Sequence, residues 1–434
     1  MKISKYNKFL EFDNKSYVYN SYAGSLAEID QNFYSMLNNV KNDENFSSTE
    51  QIFQDMKKGG IIVDNDFDEI SELEKKYWES RKQEDVMGFT ILPTLNCNYN
   101  CPYCYEKKSK KIMSSDTIEK VVSFIKHSAK GIKKIHIAWY GGEPLLAKNI
   151  IKNISMQIID FCKETNREFS ASIVSNGYFI DDSTAKMLAD INIKSCQITL
   201  DGTETTHNSK RFNKNNNEGT FYKTLESIKQ LNNVGIKVSI RFNIDKNNYK
   251  QLEELLICLK NNGIKDSLNL GWLNTISEEC INIANVCLDY EDYCNYILTA
   301  NKLLIKHGFA NSHLDFYPKY RVACSVINSG SFVINPDGDL FKCWNDIENK
   351  SLSIGNVNNE NDAKNLKSKN RFLSWNPFNI EKCKDCDVLP ICLGGCPYMA
   401  IKNSIPQCSQ WKYNLDNYLK TFIKERNENK EIKI

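Results

Sequence analysis

The chain has 434 residues, 41% hydrophobic and 25% charged, a composition of soluble globular proteins and a length for two or three domains. Lys plus Arg (56) nearly balances Asp plus Glu (54), so a net charge of +2 gives no case for electrostatic steering by nucleic acid or an anionic membrane. No run of 18 apolar residues exists, and the charged start MKISKYNKFLEFDNK lacks the apolar core of a signal peptide, so a cytoplasmic chain is expected.

Residues 1–86 contain no clustered cysteines. YVYNSYAGSLAEI reads as strand, turn, strand, and IDQNFYSMLNNV as a helix. QIFQDMKKGGIIVDNDFDEISELEKKYWESR reads as helix, Gly-Gly break, short strand and charged helix. The pattern predicts a small α+β domain, winged-helix-like. From 87 to about 275, strands alternate with helices. The strands are GFTILPTL, KKIHIAW, FSASIVS, KSCQITL, KVSIRFNI and SLNLGWL, and the helix after the first opens on the caps Ser114, Ser115 and Asp116. Six βα units predict an α/β fold, a partial (β/α)6 TIM-type barrel with its chemistry at the C-terminal strand ends. The stretches NCNYNCPYCYE, YGGEP, SNG, LDG and RFN all fall at such ends. Residues 276–310 read mostly helical, and Cys280, Cys287 and Cys294, spaced by seven, are expected on one helix face as packed thiols. The barrel domain is assigned to 87–310. Residues 311–425 form a loop-rich, cysteine-rich third domain that includes the helical WKYNLDNYLKTFIKER.

Sixteen cysteines stand out, and ten fall into tight patterns. In a reducing compartment such clusters read as metal ligands or catalysts rather than disulfides. Cys97, Cys101 and Cys104 form C-x3-C-x2-C. Three thiolates can bind three irons of a [4Fe–4S] cluster and leave the fourth iron open to a small chelating molecule. The alternatives are idle loop cysteines or part of a zinc site, which usually shows two C-x2-C pairs or nearby histidines. The second set runs C324-x13-G338-x4-C343, then C383-x2-C386-x5-C392-x3-C396, then Cys408. Seven thiolates suit two metal sites, one with four ligands and one with three. Gly338 in NPDGDL is expected to form a hairpin turn.

The first run, with Tyr105 following it, resembles the radical SAM superfamily. The resemblance implies that S-adenosylmethionine (SAM) occupies the open iron and that a 5′-deoxyadenosyl radical abstracts hydrogen from substrate. YGGEP resembles the family's methionine-binding turn, with Tyr140, Gly141, Gly142 and Glu143 as SAM contacts. The two glycines would allow close backbone approach, and Glu143 would accept from the ammonium. Ser175 and Asn176 resemble the motif after the third strand. Thr199 and Arg211 match positions that contact the SAM ribose and carboxylate in related enzymes. His207, between them, reads as a structural loop histidine. Arg241 and Asn243 are expected to face the same mouth. No catalytic base is identified.

The second set resembles the SPASM domain, which carries two auxiliary [4Fe–4S] clusters and so implies three clusters in all. By that resemblance Cys383, Cys386, Cys392 and Cys408 fill one. Cys324, Cys343 and Cys396 hold the other, with Pro318 where some members have an eighth cysteine. SPASM enzymes mostly modify peptides or proteins. Residues 1–86 resemble a leader-recognition module, implying a ribosomally made precursor peptide as partner, besides an electron donor such as flavodoxin or ferredoxin. Sulfatase maturases carry Asp after the second auxiliary cysteine, where this chain has Trp344. The expectation is a peptide maturase forming a Cys thioether crosslink. The alternatives are C–C or C–O crosslinking, side-chain oxidation of the sulfatase-maturase kind, or a non-catalytic Fe–S redox protein.

Overall fold

The structure, a computed structural model, describes residues 1–41, 51–82, 85–275, 278–310, 313–320, 324–358 and 371–428. The chain forms two compact units. One is built from 1–82, 311–327 and the segment from 374 onward, the other from 83–310 and 328–373.

In the first unit, β1 (Lys2–Ile3) is followed by an antiparallel sheet of β2 (Asn7–Phe12), β3 (Lys15–Asn20) and β4 (Ser25–Ile29). Then come α1 (Gln31–Lys41), α2 (Gln51–Lys58), β5 (Ile62–Val63), paired with β1, and α3 (Glu69–Ser80). Alternation along β3 serves both faces of the sheet. Val18 joins Ile29, Phe33, Met36, Phe53 and Met56 under α1 and α2. Tyr17 and Tyr19 join Leu10, Leu26, Val388, Leu415, Leu419 and Phe422. The N-terminal sheet and the cysteine-rich C-terminal segment therefore share a core, a long-range pairing that no local pattern announces. Tyr77 and Arg81, at the end of α3, tie it to this segment through Trp375 O (3.3 Å) and Ile327 O (2.9 Å).

In the second unit, β6 (Val86–Ile91), β7 (Lys134–Trp139), β8 (Glu168–Ser175), β9 (Ile193–Thr199), β12 (Lys237–Ile244) and β13 (Ser267–Trp272) are parallel and adjacent in that order. The crossovers carry α4 (Ser115–Ser128), α5 (Lys148–Glu164), α6 (Asp182–Asp190), α7 (Glu204–Lys210), α8 (Phe221–Asn233) and α9 (Leu252–Asn261). A two-residue ribbon, β10 (Phe212–Asn213) with β11 (Glu218–Gly219), precedes α8. This is the expected partial barrel. Ser114 caps α4 through Thr117 N–H (3.1 Å). The sheet then extends from β6 to β14 (Ser331–Ile334), β15 (Asp339–Phe341) and β16 (Gly355–Asn356), so part of the third expected domain continues the barrel sheet. Gly338, at φ +80°, makes the hairpin turn between β14 and β15 as expected.

Cys280, Cys287 and Cys294 do not share a helix. Cys280 sits in a short 3-10 turn, and α10 (Tyr290–His307) begins only after Asp289, which caps it through Asp292 N–H (2.8 Å). Cys280 and Cys294 are buried. No helix among the described residues is long and apolar enough to cross a membrane.

Candidate active site at the strand ends

Two loops meet where β6 and β7 end. Thr94 bridges to Ile112, and Leu95 N–H donates to Lys111 O (3.1 Å), closing residues 95–111 into an excursion that carries the three cysteines. The YGGEP turn lies on it. Gly142 N–H donates to Thr94 O (3.3 Å) and Glu143 N–H to Asn96 O (2.8 Å). A Cβ on Gly142 would stand 2.3 Å from Asn96 O, and one on Gly141, at φ +110°, 2.5 Å from Thr94 O. Loop-to-loop approach thus demands both glycines.

Cys97, Cys101 and Cys104 line one cavity of about 120 Å3 with Tyr140, Gly141, Gly142, Ser175, Asn176, Thr199 and Arg211. Of the residues expected to touch cofactor, Glu143 alone is not in this lining. It is fully buried behind it. Its Oε1 accepts from Leu145 N–H (3.0 Å) and Ser175 Oγ (2.9 Å), and its Oε2 from Asn176 N–H (2.7 Å). Burial nevertheless pushes its carboxyl up to about 7. Glu143 locks the turn after β8, and Asn176 Nδ2 in turn donates to Asn98 Oδ1 (2.8 Å) in the cysteine loop.

Two residues went unremarked in the sequence. Tyr103, inside the C-x2-C pair, donates its hydroxyl to Asp201 Oδ2 and accepts from Arg211 Nη1 (2.7 Å). Asp201, the acid of LDG, is fully buried, 3.9 Å from Arg211. An aromatic between the second and third cysteines and an acid after β9 were the available signals. Burial alone would pull the Arg211 pKa down, but Tyr103, Cys101 and Asp201 hold it well above its ordinary value. Arg211 Nε is buried and has no partner among the described residues, an orphaned donor in the cavity wall. His207 is structural. Its Nδ1 accepts from Asp201 N–H (3.4 Å), its Nε2 donates to Thr220 Oγ1 (3.1 Å), and Thr220 donates to Arg211 O (2.5 Å). Burial holds its pKa well below 6.5.

The thiols fit an iron–sulfur cluster better than one metal ion. Among the described residues no three Cys, His, Asp or Glu side chains gather around a single-ion point. A cubane instead takes each thiolate on its own iron, and three thiols spread around one cavity suit that arrangement. Burial pushes the Cys97 thiol up to about 11 and the Cys104 thiol up to about 12. Tyr140 stacks on Trp344 (5.7 Å, 24°), the residue after Cys343. Asp346 is buried and paired with Arg371 (2.6 Å).

In the first unit, Cys386, Cys392 and Cys408 lie near enough to Cys383 for their charges to raise its pKa. Cys383, raised first by burial and then by the other three, reaches about 11. Cys396 likewise feels Cys324. Leu393, Gly394 and Gly395 are all left-handed, and a Cβ on Gly395 would stand 1.6 Å from Gln407 O, so this turn brings Cys392 and Cys396 towards Cys408.

Residues 91–259 match the radical SAM superfamily. The chain is similar to the radical SAM cyclopropyl synthase TigE of Paramaledivibacter caminithermalis, 23% identical over 91% of this chain and 89% of that protein. It is also similar to a cysteine-type anaerobic sulfatase-maturating enzyme of Clostridium novyi, 26% identical over 69% of this chain and 85% of the relative. The solved structure of Streptococcus suis SuiB bound to precursor peptide SuiA shares its fold, with a TM-score of 0.56, 16% identity and coverage of 94% and 98%.

Proposed function

The chain carries a radical SAM domain, and from that premise we propose that it is a maturase acting on a ribosomally made precursor peptide. Cys97, Cys101 and Cys104 would hold a [4Fe–4S] cluster, and Tyr140, Gly141, Gly142, Ser175, Asn176, Thr199 and Arg211 would surround SAM. SAM on such a cluster supplies a 5′-deoxyadenosyl radical. The observation that carries the reading is the single cavity that gathers three thiols with the orphaned Arg211 donor. Tyr103 and Asp201 aim the guanidinium, and Glu143 acts indirectly, by fixing the turn. Cys383, Cys386, Cys392 and Cys408 would hold an auxiliary cluster, and a further one would draw on Cys324 and Cys396.

A peptide partner is supported by the first unit. Among the described residues β4 pairs only with β3. Beside its open edge runs a groove of about 410 Å3 lined by Ala27, Ile29, Phe33, Ile52, Met56 and Ile61. An extended leader segment would add there as a strand. The proposed product is a Cys thioether, formed when substrate sulfur bonds to the carbon that lost its hydrogen. The thiol proton would leave to solvent and the one remaining electron to the auxiliary cluster that Cys383, Cys386, Cys392 and Cys408 would hold. Carbon–carbon closure is the second reading, favoured by the similarity to a cyclopropyl synthase over 91% of the chain.

Anaerobically reconstituted protein should bind roughly twelve irons, four per cluster, and cleave SAM. Replacing Cys97, Cys101 and Cys104 with Ala should abolish cleavage, and retained cleavage would overturn the assignment. Mass spectrometry of a co-expressed precursor separates the products. Both lose two hydrogens per bridge, but only a thioether leaves the Cys resistant to alkylation.

A further inference from the structure

Arg241 stands one strand beyond the cysteine cavity. The register of β12 pairs it with Thr199 on one side and Asn269 on the other. Laterally paired residues of parallel strands share a face, so Arg241 lies on the inner face with Thr199, which lines the cavity. Its neighbours Ile240 and Phe242 are fully buried on the opposite face. The guanidinium lies across β13. A Cβ on Gly271 would stand 2.2 Å from both Nε and Nη2, so space there exists only because residue 271 has no side chain.

Nε donates to Asn243 Oδ1 (3.1 Å), which fixes the plane of the fork. The side chain is half-buried, and among the described residues neither Nη1 nor Nη2 has a hydrogen-bond partner or an acid within 4.0 Å. Its charge is felt by Tyr140, at the end of β7, and by Tyr293 on α10, which places it at the mouth. A partly desolvated cation without a counter-charge is costly until an anion arrives.

We propose that Arg241 anchors a carboxylate of the peptide substrate through its two terminal nitrogens, holding an acidic side chain one strand from Thr199. Two parallel N–H···O bonds to a carboxylate are the geometry this fork offers. The assignment deepens the maturase reading and rests on it. The other source of the same chemistry is the carboxylate of SAM itself.

The test is residue-resolved phenylglyoxal labelling of the reconstituted full chain, read by mass spectrometry. Arg241 should label, and the probe acetyl-Gly-Glu-Gly-amide should protect it. At roughly ten times the dissociation constant, labelling should fall about tenfold. Acetyl-Gly-Gln-Gly-amide and SAM should leave it unchanged. Protection by SAM would assign Arg241 to the cofactor and overturn the proposal. Equal protection by the two peptides, protection by neither, or an Arg241 that does not label would also overturn it. SAM cleavage by the same preparation is scored separately. Its loss refutes the maturase reading, whereas intact cleavage without Glu-specific protection refutes the anchor alone.

Discussion

Gly142→Ala is the sharpest test of the site's construction. The added carbon would stand 2.3 Å from Asn96 O, 2.6 Å from Asn96 C and 2.8 Å from Leu95 O. All three are backbone atoms, so no side chain can swing away. Relief requires separating the two loops, which stretches the 2.8 Å bond from Glu143 N–H to Asn96 O. Overpacking costs about 1–3 kcal/mol, and a lost buried hydrogen bond adds about 1 kcal/mol. The sum, about 2–4 kcal/mol, corresponds to a fall in Tm of about 4–8 °C for a unit of this size, at about 2 °C per kcal/mol. Asn96 precedes Cys97, so the first cluster should suffer more than the auxiliary ones. The assay is thermal unfolding of the metal-free chain beside iron counting after reconstitution. Gly88→Ala is the control, because the nearest atom to its added carbon is Ser331 Oγ at 3.7 Å. If Gly142→Ala melts with the wild type and keeps its full iron, the loop-contact argument is refuted.

Gly395→Ala should displace the 393–396 turn from Gln407 and lose iron from the auxiliary sites while SAM cleavage persists; full iron content would contradict this. Glu143 has a pKa raised from 4.5 to about 7, so the stability tied to its neutral form is present below pH 4.5 and lost as pH rises through 7, by at most about 3 kcal/mol. Chemical denaturation should show that slope in wild type and not in Glu143→Gln; parallel profiles would count against it. His207 has a lowered pKa, so its stability is present above pH 6.5 and lost as pH falls, and His207→Asn should flatten that acid limb. Ile52→Asp should weaken precursor binding without changing uncoupled SAM cleavage; unchanged affinity would remove the groove beside β4 from peptide recognition. A point substitution is needed because deleting the N-terminal sheet would expose Leu415, Leu419 and Phe422.

The cysteine spacings, the strand–helix alternation and the punctuation at strand ends were legible in the sequence, because each is local. The thiol run lies within one loop, and period-two strands divided by capped helices leave few alternatives to a parallel sheet. The Asp289 cap starts α10 only after Cys287, which is why Cys280, Cys287 and Cys294 do not lie on one helix as the spacing of seven predicted. What tertiary structure decided was long-range. The motif YGGEP reads as a ligand turn, yet its glycines answer to Asn96 and Thr94 and its glutamate to Ser175 and Asn176. Tyr103, Asp201 and Arg211 meet across a separation of 108 residues, and Arg241 finds room only over Gly271 of the next strand. Burial and close approach depend on which segments become neighbours. Composition and periodicity could place the ends of the strands, but only packing could show what each end touches.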